Sequence, residues 1–547
     1  MPHWSRNSII VSLLFLSFSL TAQKPRIVWS TYFSGANGVT SIGNDLALDK
    51  KGNVYMAATT DSKDLGYNGF NGPNPGLTDP ILVKFDSLGN RVWATYFGFS
   101  VYDDTGESVA IDDSGNVYFA GVFNGTTSFL AKISPSCKLI WSKSFSGDFK
   151  TQVKAITVDA YGNIFLTGST WSASGIAQDG HDNTYGTDGT FTGNSDAFLL
   201  KFNSAGDLKW GTYCGGFFQD DGKDVITDSY GNVYIIGTTY SDSGIAANGF
   251  DNVGDPQYGD AFIVKYDSEG ALIWGTYFGG AGEDQGLSIA LDTQGDFFYA
   301  GGRTLGSPNL AYHGYDSTIG NYDAWLAKFT LDGNRVWSTY YGSSESPVIY
   351  DQCNSLAVDE SGNIYMAGLT LSTTEIAFGG FDTTYNGRFD AFMVKFSGGG
   401  KPVWGSYFGG PGDDVSNAVV AGNGKVFMTG SAMSDTLSYQ GFDNTYNGSI
   451  DAYLIDVTEK PIITNITEEL QLQIFPNPSS GNFSIQFNSQ CENTNVQLIN
   501  ELGQNIPITE RKFVYKIEIS SDGNSPGIYF AKINTQKGPI FRKVVIK

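Results

Sequence analysis

DAFIVKYDSEGALIWGTYFGG, running from Asp260 to Gly280, reads as a β-hairpin followed by a tight exit. DAFIVKY is an apolar run too short for a stable helix and rich in strand formers. DSEG supplies turn residues, and ALIWGTYF returns the chain before Gly279-Gly280 releases it. Upstream, KDVITD around Asp224 alternates polar and apolar positions, SYGN turns the chain, and VYIIG forms a wholly apolar strand. A long loop then leads to Asp260. The unit is four antiparallel strands with one long connection, between the second and third.

This unit recurs. Its outer Trp strand appears at Trp29, Trp93, Trp141, Trp210, Trp274, Trp337 and Trp404. Intervals between successive tryptophans fall between 63 and 69 residues, except for the 48 from Trp93 to Trp141. GNVY-type turns follow in step at Gly52, Gly115, Gly162, Gly231, Gly295, Gly362 and Gly424, and the third strand begins at Asp79, Thr127, Asp196, Asp260, Asp323, Asp390 and Asp451. Three markers, each present seven times, define a seven-unit array. One four-stranded sheet cannot bury both of its faces, so the units must stack on one another. The fold expected is all-β, a seven-bladed β-propeller. Its first Trp strand, Arg26 to Phe33, precedes any complete unit, whereas the last unit ends at DAYLIDV with no Trp strand after it. The N-terminal strand is therefore expected to complete the seventh blade and cover its open edge. On outermost strands the tryptophans are expected to pack between blades rather than to stack on a ligand.

At 547 residues the chain exceeds one compact core. Gly 69 and 14% aromatic residues suit turns and strands. The formal charge is −23, and residues 24–467 alone carry 24 basic against 49 acidic side chains. Such a body repels phosphate backbones and anionic lipid, which excludes nucleic-acid partners and polybasic membrane contacts. Arg6, the apolar stretch Ile9–Leu20 and Thr-Ala-Gln at 21–23 have the pattern of a secretory signal, and no other run is long enough to span a bilayer. Cys214 stands where sister units carry Phe or Tyr, and Cys137 and Cys353 are assigned to different inter-strand turns. With Cys491 in another domain, the four are read as free thiols.

The repeated WSTYFGG, GN-V-Y and DAF-V-K-F elements resemble the SBBP-type β-propeller repeats of bacterial extracellular proteins, over about residues 26–457. After residue 468 the character changes. Pro476, Asn477, Pro478 and Gly481, then Leu502-Gly503, Gly527-Ile528-Tyr529 and the basic tail from Lys543 to Lys547 resemble the type A C-terminal sorting domain of the type IX secretion system. The resemblance implies an immunoglobulin-like β-sandwich read by that secretion machinery, and release or attachment at the cell surface after passage through the periplasm. The domain layout expected is a signal peptide at 1–23, the propeller at 24–457, a polar linker at 458–469 and the sorting domain at 470–547.

Catalytic motifs are scarce. Beyond the signal there are two histidines, His181 and His313, and His181 fills a Gly-aromatic-Asp slot that sister loops give to Phe250, Tyr315, Phe381 and Phe442. The single G-x-S-x-G match, Gly523 to Gly527, places Pro526 after the serine, where no N–H is available for an oxyanion. No phosphate loop is present, and no cofactor motif. The acidic residues draw more interest. Blade-to-blade turns carry Asp103-Asp104, Asp220-Asp221, Glu283-Asp284 and Asp413-Asp414, and open on the same face as the long loops with their Gly-aromatic-Asp motifs. One face is thus expected to be ringed by carboxylates and aromatics, a surface suited to a glycan, a protein or calcium. Asx turns account for the same residues without any ligand. In the second unit the long loop shrinks to GVFNGTTS, which is expected to notch the rim and admit ligand. The expected role is a non-enzymatic binding or adhesion scaffold. An extracellular hydrolase or lyase working through paired rim carboxylates is one alternative, and a structural surface or filament component another.

Overall fold

The computed structural model describes residues 24–36, 39–72, 77–98, 102–186, 193–344, 350–459, 472–487, 495–500, 504–513, 516–521, 524–535 and 538–547. The signal segment 1–23, most of the linker, Cys491 and Gly503 lie outside them. The chain divides after Glu459 into two compact units. Every regular element among the described residues is a β-strand, so none is a helix able to cross a membrane.

The first unit holds seven four-stranded antiparallel sheets among its described residues. Their first strands are Ser41–Leu48, Thr105–Ile111, Thr151–Val158, Asp220–Thr227, Asp284–Leu291, Asp351–Val358 and Asp414–Gly422, in sheets 1 to 7. The outer strands of sheets 1 to 6 are Arg91–Tyr96, Leu139–Phe145, Leu208–Cys214, Leu272–Phe278, Arg335–Tyr341 and Pro402–Phe408. In sheet 7 the outer position is taken by Arg26–Phe33, which pairs antiparallel with Asp451–Thr458, Tyr32 opposite Tyr453. Each first strand touches the first strands of the sheets before and after it, and that of sheet 7 touches that of sheet 1. All seven first strands bulge at matching positions, for example between Gly222 and Asp224 and between Gly286 and Ser288. The bulge turns the next residue toward the neighbouring sheet: Asp224 Oδ2 accepts from Ser288 Oγ at 2.9 Å and from the Ile289 N–H at 2.9 Å.

The sequence markers have direct physical causes. In sheet 4, Asp228 Oδ1 accepts the N–H groups of Tyr230 and Asn232. Its Oδ2 accepts the Asn232 amide at 2.8 Å and the Tyr234 hydroxyl at 3.0 Å. That is why Gly-Asn-x-Tyr follows an Asp: one carboxylate closes the turn and anchors the strand after it. The Trp and the third-strand Lys act together. Trp210 Nε1 donates to the Ser268 carbonyl at 3.1 Å and Lys201 Nζ to the same oxygen at 2.5 Å, in the turn of the next sheet. Trp274 and Lys265 repeat the contact on the Leu331 carbonyl. Gly270, at φ 86°, lies flat against the Trp210 ring, where a methyl group would stand 2.9 Å from Cδ2. The tryptophans are thus inter-sheet packing residues. Cys137, Cys214 and Cys353 are buried free thiols, but Cys353 sits inside the first strand of sheet 6 rather than in a turn. Its apolar side chain takes a core position that the polar Gln352 and Asn354 on either side disguise.

The second unit contains two four-stranded antiparallel sheets among its described residues. Phe483, Ile485, Ile517 and Ile519 from one meet Val496, Leu498, Ala531, Ile533, Val544 and Ile546 from the other in a shared core.

Candidate functional site

Connections between sheets and long loops lie at one end of the first unit. Asp104 N–H donates to the Thr78 carbonyl and Trp171 N–H to that of Lys150, joining a long-loop terminus to an inter-sheet turn in each case. The acidic pairs sit here, and the structure splits them. Asp104, Asp220, Asp284 and Asp414 are fully buried. Asp414 Oδ2 accepts the Gly410 N–H at 2.8 Å and the Ser434 hydroxyl at 2.6 Å, and Asp284 Oδ2 accepts the Gly280 N–H and the Ser307 hydroxyl, each at 2.7 Å. Asp220 is held likewise by Gly216 and Ser241, and Asp104 by the Asn124 N–H. These carboxylates clamp the turn between sheets. Asp351, which the sequence reading missed for want of an acidic neighbour, makes the same bonds with Ser343 and Ser372.

A second buried carboxylate faces the clamps Asp220, Asp284, Asp351 and Asp414. An Asp at the start of the third strand, Asp196, Asp260, Asp323 or Asp390, accepts a loop N–H through Oδ2, from Gly186, Asp255, Gly320 or Asn386. A methyl group on Gly279 would stand 1.9 Å from Asp260 Oδ1 and 2.9 Å from Asp284 Oδ2. Only glycine fits between the two. Burial pushes Asp196 up to about 8 and Asp260 and Asp323 up to about 7, and the facing carboxylate adds to each rise.

The outer members are partly exposed and engaged one by one. Asp103 accepts from Thr78, and Asp221 from the Ser169, Ser195 and Gln219 side chains. Asp413 lies 3.9 Å from the Arg388 guanidinium. Glu283 differs. It pairs with Arg303 at 2.7 Å and accepts from Gln285 at 2.6 Å. Arg303 stands at a second-strand position that the other sheets fill with Thr59, Val122, Ser169, Thr238, Leu369 and Ser431. Its guanidinium lies 5.1 Å from the Tyr322 ring centre and 4.8 Å from that of Tyr350, and it also donates to the Tyr350 hydroxyl and to Gln352. Tyr350 donates on to Gln352 at 2.9 Å. Glu283, Arg303, Tyr322, Tyr350 and Gln352 form a network with no counterpart among the described residues of the sister sheets. The sequence signal was available: an Arg in a register otherwise held by small or aliphatic residues.

The loop aromatics are not at this mouth. Six of the long loops fold back and bridge to the outer strand of their own sheet, through Tyr67–Ala94, Gln178–Gly211, Ala247–Gly275, Tyr312–Ser338, Phe378–Gly405 and Tyr439–Ser30. Their Gly-aromatic-Asp segments cover that strand's edge. The aromatic sits in the seam with the next sheet, as where Phe250 packs on Phe278, Phe329 and Arg335. Among the described residues no three His, Cys, Asp or Glu side chains converge as a metal site.

In the second unit the Pro476-Asn477-Pro478 segment is exposed and docks along the last strand. The Asn477 side chain donates to the Lys543 carbonyl at 2.9 Å and accepts the Val545 N–H at 2.8 Å. Gly481 takes φ 102° at the following turn, Gly527 opens the strand Gly527–Thr535, and the Tyr529 hydroxyl donates to the Ser525 carbonyl. Lys543 and Lys547 are exposed. The Pro476-Asn477-Pro478 motif and the basic tail thus meet along the last strand.

Seven similar sheets followed by a small β unit define the class: a β-propeller repeat protein with an appended C-terminal module. Residues 28–66, 92–126, 140–174 and 336–373 match the beta-propeller repeat family (SBBP), and residues 473–547 match the secretion system C-terminal sorting domain family. The sorting domain assigns the protein to handling by the type IX secretion machinery and to a secreted or cell-surface location. An uncharacterized WD repeat-containing protein of Acanthamoeba polyphaga mimivirus is 22% identical over 60% of this chain and 29% of its own length. The regulatory protein FlaEY of Caulobacter vibrioides is 23% identical over 54% of this chain and 38% of its own. The chain therefore spans well under half the length of either relative. The solved WD40 β-propeller domain of Doa1 aligns over 79% of this chain and 97% of its own, with 10% identity and a TM-score of 0.40.

Proposed function

We propose that the body is a seven-bladed β-propeller, closed by the N-terminal strand, that serves outside the cell as a non-enzymatic binding or adhesion scaffold. The reading of seven closed blades draws support from the cycle of touching first strands and from the Arg26–Phe33 strand in sheet 7. Two sheets around one core favour an immunoglobulin-like sandwich for residues 470–547. Ligand is taken at the loop-bearing face, centred on Glu283, Arg303, Tyr322 and Tyr350. The observation that carries this is the network's singularity: the carboxylate clamps that serve the scaffold recur from blade to blade, and this network does not. Tyrosine rings, amide side chains and a guanidinium side by side suit a hydroxyl-rich ligand, and a glycan is the class proposed. Asp103, Asp221 and Asp413 are the outlying rim carboxylates, whereas Asp104, Asp220, Asp284 and Asp414 hold the turns.

The test is a glycan-array screen of the mature protein beside Arg303→Ala and Tyr350→Ala, with and without calcium. Hits on the native protein that fall about tenfold or more in both variants support the site. Hits indifferent to both substitutions overturn it, and turnover of a bound polysaccharide would replace binding with catalysis.

A further inference from the structure

Sheet 2 breaks the pattern in a second place, remote from the Arg303 network and independent of the glycan reading. Its second and third strands are joined by a tight Asn124-Gly125 turn, both residues at positive φ, so no long loop folds back over its outer strand. That strand, Leu139–Phe145, is exposed almost throughout, whereas the outer strand of sheet 4 is buried over its last five residues. The six covered strands show what belongs there. A Gly-aromatic-Asp/Asn segment runs along each, and a Thr or Ser hydroxyl accepts the N–H of its last residue: Thr95, Thr212, Thr276, Thr339, Ser406 and Thr31. In sheet 2 this position is Lys143.

The aromatic of the missing segment also has a vacant seat. In sheet 4 that seat is formed by Phe278 of the outer strand with Phe329 and Arg335 of the next sheet, and Phe250 occupies it. The equivalents beside sheet 2 are Phe145, Phe202 and Leu208, and with Lys143 and Ile176 they line a pocket of about 370 Å³. Asp207 at its rim is hydrogen-bonded within its own turn by Asn203.

We propose that the outer strand of sheet 2 is an acceptor for an extended segment of a partner polypeptide, which adds as an edge strand, seats an aromatic side chain on Phe145, Phe202 and Leu208, and sets an acidic residue beside Lys143. Backbone bonds supply part of the affinity and the pocket the selectivity. Lys143, at the pocket, and Lys138, just before the strand, place positive charge here within a strongly acidic body, complementary to such a segment. A second copy is a poor occupant, because its own described segments of this type already lie on their own outer strands, and pairing two of these edges would set lysine beside lysine.

The probe is a synthetic peptide with the sequence of residues 245–253, IAANGFDNV, titrated into the mature protein by fluorescence anisotropy. Saturable binding is expected. It should weaken about tenfold or more when the peptide Phe is replaced by Ala, and similarly with Lys143→Glu in the protein, a surface change that leaves the melting curve in place. Higher salt should weaken it as well. Absence of binding at millimolar peptide overturns the proposal. So does binding indifferent to both changes, and so does a concentration-dependent dimer abolished by Lys143→Glu.

Discussion

At the scale of single residues, the facing buried carboxylates have a measurable consequence. Burial, with Asp284 adding to it, raises Asp260 to about 7, far above its value in an unfolded chain. A group whose folded pKa is raised binds more protons in the folded state between the two values, so stability falls as pH climbs through that window. The melting temperature is therefore expected to drop between about pH 5 and pH 8. Asp260→Asn, which keeps an oxygen for the Asp255 N–H and offers an amide toward Asp284, should raise the melting temperature at pH 8 and leave it nearly unchanged at pH 5. A destabilised variant at pH 8 would show that the charged pair contributes net stability. The sequence showed that Asp recurs at these positions but not what it does there. Of Asp220 and Asp221, adjacent in sequence, one is buried in the turn and the other is partly exposed and bonded to Ser169, Ser195 and Gln219, and only tertiary packing decides which.

At the scale of elements, the strands were legible from period and turn chemistry, because each apolar run ends at a residue with a backbone reason to stop. The covering segments were not. A stretch such as AANGFD has no strand alternation and joins its sheet only through isolated bridges on Gly275, so it reads as loop. The seventh sheet also hides a substitution. With no turn between its third and outer strands, it has no carbonyl to receive Trp404 and Lys395 of sheet 6. Glu459 supplies a carboxylate instead, at 2.6 Å from Trp404 Nε1 and 2.7 Å from Lys395 Nζ. Glu459→Ala should lower unfolding free energy by about 1–3 kcal/mol, since it strands two largely buried donors. Glu459→Gln should recover part of that loss, through the indole bond but not the ammonium charge. Denaturant melts of the three proteins decide it, and equal midpoints would mean that water replaces the carboxylate.

At the scale of the whole molecule, the sorting domain and the repeat body form separate compact units, so removing one should leave the other folded. Truncation after residue 469 should yield a body with an unchanged melting profile that accumulates in the periplasm, whereas the full chain reaches the surface or medium. Fractionation with an antibody to the body reads the outcome, and surface delivery of the truncated form would assign export to another signal. The pairing of Arg26–Phe33 with Asp451–Thr458 sets the order of events before that step. Tyr32 accepts from the Leu437 N–H, 405 positions further along the chain, so its strand has no partner until nearly the whole body has been made. Six sheets can assemble as they emerge, but the earliest segment must wait, unpaired, for nearly the last. During that interval it is an unpaired strand edge, and joining it requires a long-range encounter rather than any local hairpin.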